Sequence, residues 1–261
     1  MRPRGPRRGR RGGLALALAA VAAAGDAQPP AEVTDSPANA ADSPADAADA
    51  SAGAQASSAE IPDLSGKWFP DYCIPDGATC PFEIGRLDLT PRAVKFMNEF
   101  DEAISPKYDC VPATVPSIVA DPYVWRIEQR SHRVELHYEK DDVVRTVWLD
   151  GRRHPPASER SVQGHSIGRY EGGALVVETA NFTYDPIGLD DMTGLPSSTL
   201  KVVTERYSRA GDRLVLDMTV EDPLYLQTPA RTRFEWQSTD LEMLPYECDP
   251  VRARQPLEFL P

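Results

Sequence analysis

The stretch Tyr123–Leu149, YVWRIEQRSHRVELHYEKDDVVRTVWL, decides the fold, because apolar and polar residues alternate along it with a period of two. Three strands are expected here, over 123–129, 132–139 and 143–149, separated by Arg130-Ser131 and Lys140-Asp141-Asp142. Connectors that short suit hairpins, so neighbouring strands should run antiparallel. The same pattern continues at 163–170, 174–181, 199–208, 213–221 and 231–237, with Glu171-Gly172-Gly173 and Ala210-Gly211-Asp212 as further turns. Eight such strands predict a mainly β fold. An antiparallel up-and-down barrel of lipocalin type shelters every edge, and a β-sandwich is the competing arrangement.

Upstream of the strands one helix is expected. Thr90 suits an N-cap and Pro91 the first helical position, while Ala93, Met97, Phe100 and Ile104 recur on one face until Pro106. This predicts a helix over 91–104 packed beside the barrel through Met97 and Phe100. Ser65-Gly66-Lys67-Trp68-Phe69 suggests a short first strand.

Residues 28–60 consist almost wholly of Ala, Ser, Asp and Pro, with Val33 the one larger aliphatic residue. Such a stretch buries too little apolar surface to offset chain entropy and reads as a disordered acidic tether. Two imperfect heptads, Asp35–Ala41 and Asp42–Ala48, contain Pro37 and Pro44, which exclude a coiled coil. Residues 1–27 read as a signal peptide. Six arginines precede the apolar run Leu14–Ala24, and small residues follow it up to Ala27. That run is too short to anchor a chain in a bilayer. The expected organisation is therefore a leader over 1–27, a tether over 28–60 and a single β-rich domain over 61–261, located in the periplasm or secreted.

The formal charge of −12 becomes more acidic once the leader arginines are gone. A chain so acidic is repelled by phosphate backbones and anionic lipid headgroups, so neither nucleic acid nor stable membrane insertion is expected. A small-molecule ligand suits it better, and the oligomeric state is left open. In an exported chain the four cysteines should be oxidised. Of three possible connectivities, Cys73–Cys80 across a Pro- and Gly-containing loop and Cys110–Cys248 across the barrel seam are expected.

Polar chemistry concentrates between Leu149 and Phe182, LDGRRHPPASERSVQGHSIGRYEGGALVVETANF, which holds two of the four histidines. His165, Ile167, Arg169 and Glu171 share one strand face. Facing with them on the next strand is either Leu175, Val177, Thr179 and Asn181 or Val176, Glu178, Ala180 and Phe182. If that face lines a lumen, His165, Arg169, Glu171 and Arg152 would orient the polar end of a small, mostly apolar ligand. Alternatively, His165 or His154 beside Asp150 or Glu171 would supply acid–base catalysis without a cofactor, as in an isomerase, lyase or hydrolase. The same groups also suit ion pairs that tie loops together. No metal is expected, since the spacings hold neither a histidine pair at helical or strand distance nor a Cys-x-x-Cys. Gly164-His165-Ser166-Ile167-Gly168 matches the spacing of a hydrolase elbow, yet it leads into a strand rather than a helix.

The runs DGRRHP, GHSIGRYEGGALVVETANF, TERYSR and VEDP, in that order, resemble a widespread family of exported bacterial proteins of unknown function. The likeness extends from Trp68 to Cys248 and departs mildly at Tyr170, where Trp is the more familiar residue, and at Gly173, where Asp is. It implies a secreted β-rich domain and assigns no activity. Intact-mass measurement on the exported protein should show cleavage after Ala24 or Ala27; a product that retains Arg2 to Arg11 would contradict the reading of the leader.

Overall fold

The computed structural model describes residues 61–70 and 87–259. The leader, the tether and the Cys73–Cys80 bridge expected from sequence lie outside the described residues. Among those residues eleven strands are present: β1 Gly66–Pro70, β2 Trp125–Gln129, β3 Arg133–Tyr138, β4 Val144–Trp148, β5 His165–Glu171, β6 Ala174–Ala180, β7 Asp185–Asp190, β8 Leu195–Ser197, β9 Val202–Ala210, β10 Arg213–Glu221 and β11 Ala230–Ser238. Nine of them close into a barrel in sequential order, β1 to β6 and then β9 to β11, with β11 returning to β1. The up-and-down barrel expected from the alternation is therefore the fold.

Two refinements concern the strands. The eight strands expected after Tyr123 are joined by β1, which pairs with both β2 and β11 and closes the seam. A closed ring of nine strands cannot alternate direction throughout, so one neighbouring pair must be parallel. That pair is β4 and β5, in register at Val147–Ser166 and Trp148–Ile167. β7 and β8 form a separate two-stranded sheet between β6 and β9. Pro186 and Gly188 in β7 hide it from an alternation search.

The expected helix over 91–104 is shorter. Helix α1 spans Pro91–Asn98, with the Thr90 hydroxyl accepting from the Ala93 N–H at 3.2 Å. The Asp101 carboxylate then caps a new 3-10 turn, Glu102–Ile104, by accepting from the Ala103 N–H. A side chain that offers the backbone a fresh N-cap ends the preceding helix. Ala93 and Met97 pack on the core as expected, but Ile104 is 72% exposed. Phe100 packs instead on Gly194, where a side chain would collide with its ring.

Alternate side chains point into the barrel, and they are large. Trp68, Trp125, Tyr138, Tyr207, Phe234 and Trp236 are buried, with Trp125 stacked on Tyr138 at 5.4 Å and edge-on to Trp236 at 5.1 Å. Among them lies a charge pair. Arg145 of β4 grips Glu205 of β9 through two N–H groups, the first at 3.0 Å, and also reaches Tyr138 and Thr179. The Tyr207 hydroxyl donates to the same carboxylate at 2.7 Å. Burial works against the Arg145 charge, but the Glu205 carboxylate outweighs it and holds the guanidinium protonated. A barrel of this size is just wide enough for side chains to fill.

Lys201 closes one end of the barrel. Its buried ammonium donates to Thr114 Oγ1 at 3.1 Å, the Val115 carbonyl at 2.9 Å and the Gly188 carbonyl at 3.3 Å, joining the segment before helix α2, Ser117–Ala120, to β7. Burial pushes its pKa down to about 7, with Asp185 and Asp222 opposing. On the outside, the Cys110–Cys248 disulfide forms as expected, with Cα atoms 5.8 Å apart. Arg254, at the end of helix α3, Pro250–Arg254, adds an ion pair to Asp109 beside it.

Because the Arg145–Glu205 pair is fully buried, removing one partner should cost far more than removing both. Arg145→Met alone is expected to lose about 3–5 kcal/mol in urea denaturation. Arg145→Met combined with Glu205→Leu should recover most of that loss, and a double variant as weak as the single one would contradict this account.

Candidate functional site

A parallel β4–β5 contact requires the chain after β4 to travel back along the barrel before β5 begins. Residues 149–164 do this over the outer wall. Gly151, at φ +75°, makes the turn. Arg152 then locks it, donating to both oxygens of Asp150 from Nε at 2.8 and 3.0 Å while its guanidinium lies 3.7 Å above the Trp148 ring. That hydrogen bonding pulls the Asp150 carboxyl down to about 2. Further on, the Asn181 amide donates to the Pro155 carbonyl, and Ser161 pairs with the backbone on either side of Phe182. The crossover is thereby stitched to the end of β6.

This path lays His154 on the outer face of β5 and β6. His154 Nδ1 is 3.0 Å from His165 Nδ1, and His154 Nε2 is 3.1 Å from Glu178 Oε1. The rings stand nearly perpendicular, at 79°. An ionised carboxylate only accepts hydrogen bonds, so His154 Nε2 carries a proton. With both rings neutral, His154 Nδ1 is then an acceptor, and His165 Nδ1 donates to it. His165 Nε2 is left with a free lone pair, and no described residue bonds to it. The result is a three-member relay, Glu178 to His154 to His165, that ends in a base. Partial burial lowers the His165 pKa, with the neighbouring His154 and Arg152 adding to the shift and Asp150 opposing it.

Beside the relay a cleft of about 210 Å³ is bounded by Trp148, Ile167, Gly168, Arg169 and Glu178. It is small and lies against the Glu178 end of the relay. A larger open groove of about 890 Å³ lies elsewhere, near β1 and the segment after β11. Its cations are already engaged: Lys67 Nζ donates to the Asp240 carbonyl at 2.9 Å, Arg209 to the carbonyls of Gly211 and Asp63, and Arg126 pairs with Glu128 at 2.9 Å. The convergence of His154, His165 and Glu178, rather than volume, favours the wall beside the smaller cleft.

The residues expected from sequence divide into two sets. His154 and His165 meet, with Asp150 and Arg152 beside them. Arg169 and Glu171 pair with each other at 2.8 Å, their side chains 65% and 59% exposed, and they join neither the relay nor a lumen. The face carrying His165, Arg169 and Glu171 therefore points outward; its neighbours Ser166, Gly168 and Tyr170 turn inward. Glu178 takes the part expected of Glu171. Cross-strand register sets Ile167 opposite Glu178, one diagonal step from His165, whereas Glu171 is six residues, about 20 Å, along the strand. Ser166, at the centre of the hydrolase-like spacing, is buried and bonded to Thr179 Oγ1 at 2.8 Å.

Glu128, Glu135 and His137 also come together, on the outer face of β2 and β3. Glu128 is held by Arg126 at 2.9 Å and Arg130 at 2.6 Å, and Glu135 by Arg133 at 3.0 Å. Three guanidiniums around two carboxylates leave little attraction for a cation. Compared with models of protein families the chain matches none, and no curated protein matches it.

Because its folded-state pKa is depressed, His165 favours the native state most when neutral. That contribution is complete above the ordinary histidine value and is lost as pH falls through the lower, folded-state value. A proton NMR titration should find His165 titrating below an ordinary histidine, and His154→Ala should move it upward. An unshifted His165 in the parent protein would contradict the described packing.

Proposed function

We propose that this exported β-barrel protein is a cofactor-independent acid–base catalyst acting on a small molecule at its outer wall. His165 Nε2 is the base, and His154 and Glu178 hold its ring in the tautomer that leaves Nε2 unprotonated. The observation that carries this reading is the unbroken chain Glu178–His154–His165, with contacts of 3.1 and 3.0 Å. A base kept neutral by partial burial, and fixed in one tautomer by an imidazole that a carboxylate holds in turn, is suited to abstracting a proton from an activated C–H, a hydroxyl or a water.

The cleft reaches Ile167, two residues along the outer face of β5 from His165, and would seat the non-reacting end of a substrate that extends along the wall to His165 Nε2. Trp148 and Ile167 offer that end an apolar wall, with the Arg169–Glu171 pair and Glu178 at its rim. The aromatic side chains and the Arg145–Glu205 pair inside the barrel argue against carriage of an apolar ligand there, so the small-molecule site moves from the lumen to the wall. Export is supported by the leader and by the Cys110–Cys248 bridge, since disulfides persist in oxidising compartments. The runs DGRRHP and GHSIGRYEGGALVVETANF, which carry the family resemblance, supply every member of the relay.

The test is a turnover screen of small esters, lactones and hydroxy- or keto-acids with the parent protein, His165→Ala and Glu178→Gln. His165→Ala should lower kcat/KM by about 10²–10⁴-fold. Activity of the parent should rise with pH through the depressed His165 value, because only the neutral ring is a base. A ligand that co-purifies with the protein, binds saturably and is never converted would replace catalysis with binding.

A further inference from the structure

Two imidazole nitrogens of the same kind, each Nδ1, face each other at 3.0 Å, with a single proton between them. A cation shared between the two nitrogens also satisfies both lone pairs at once. We propose that His154 Nδ1 and His165 Nδ1 form a binding site for a divalent transition-metal ion of the zinc type, which takes the place of the shared proton. The proposal rests on the relay geometry described above, but not on turnover.

Three features support it. Zinc–nitrogen bonds of about 2.0–2.1 Å at a tetrahedral angle set two ligand nitrogens about 3.3 Å apart, so the nitrogens need to separate by a few tenths of an ångström and the rings to tilt until both lone pairs meet the ion. His154 sits on the crossover rather than on a strand, where a small rotation disturbs no ladder hydrogen bond. The far nitrogen of His154 already donates to Glu178 at 3.1 Å. A carboxylate behind a histidine fixes its tautomer and raises its basicity as a ligand, and such partners are a regular part of histidine metal sites. Water would complete the coordination. The guanidinium that acts on His165, Arg152, is itself paired with Asp150, whereas Glu128, Glu135 and His137 offer three ligand atoms but are surrounded by Arg126, Arg130 and Arg133.

Proton accounting gives the site a consequence. A neutral His165 that ligates through Nδ1 must carry its proton on Nε2, so the proton moves across the ring and none is lost. The nitrogen assigned above as the base then becomes a donor. Metal and base are therefore mutually exclusive states of one residue, and the ion acts as an off-switch rather than a cofactor.

The experiment titrates the full chain with zinc chloride alone, following heat of binding and histidine ¹⁵N shifts. One ion should bind per chain, and His165 should change from the Nδ1–H to the Nε2–H form. His154→Ala and His165→Ala should each weaken binding at least 100-fold, and Glu178→Gln about 10–100-fold. His154→Gln, which keeps a polar side chain on the crossover, serves if the alanine variant misfolds. No binding at millimolar zinc, or binding abolished by His137→Ala and untouched by His154→Gln, would overturn the proposal. If zinc binds as described and no substrate is ever converted, the catalytic reading fails while the metal site stands; turnover without zinc binding removes the metal site and keeps the catalyst.

Discussion

A purely antiparallel ring closes only on an even number of strands, and this barrel has nine. An even-numbered barrel can be closed by hairpins alone, and its outer wall then carries nothing but side chains of its own strands. With nine, one contact must be parallel, and the fold places it between β4 and β5. A parallel contact cannot be made by a tight turn. The chain must cross the wall, and residues 149–164 are the segment that does so. His154 reaches His165 and Glu178 only because that segment lies against β5 and β6.

The interior imposes a second constraint. Aromatic side chains occupy the inward positions of β1, β2, β3, β9 and β11, and the charges of Arg145 and Glu205 satisfy each other among them. A buried ion pair contributes little net stability compared with an apolar replacement, but it is intolerant of losing either member. Tyr138, Thr179 and Tyr207 bond to the pair from β3, β6 and β9, and Ser166 of β5 bonds in turn to Thr179. Together they form a polar layer across the barrel. That layer spans strands from both sides of the parallel contact, so it also fixes which strands can face one another.

Much of this is legible in the sequence. The alternation around Trp125, Val134 and Val147 locates the strands, because a half-buried strand repeats every two residues whatever its neighbours. Parity is harder to see. The five-residue β1 is half-exposed and counts as a barrel strand only through its partners β2 and β11. The expected helix is too long because Met97 and Phe100 keep helical spacing up to Asp101, whose capping carboxylate is a local event that periodicity ignores. Sequence favours Glu171 over Glu178 because Glu171 shares a strand face with His165, while Glu178 depends on register with the next strand. The Arg145–Glu205 pair does leave a trace: each interrupts an inward apolar row, between Val143 and Val147 and between Val203 and Tyr207. Two opposite charges out of pattern on strands far apart in sequence point to one another.

The Cys110–Cys248 bridge encloses a loop of 138 residues that contains every barrel strand except β1. A protease that cuts one exposed connection inside that loop, such as the turn at Gly172-Gly173 or the one at Gly211, opens a ring rather than severing a thread. Both pieces remain one covalent body, still held edge to edge by the ladders on either side of the cut. Release of a fragment from inside the loop therefore takes two cuts, or one cut and reduction of the bridge.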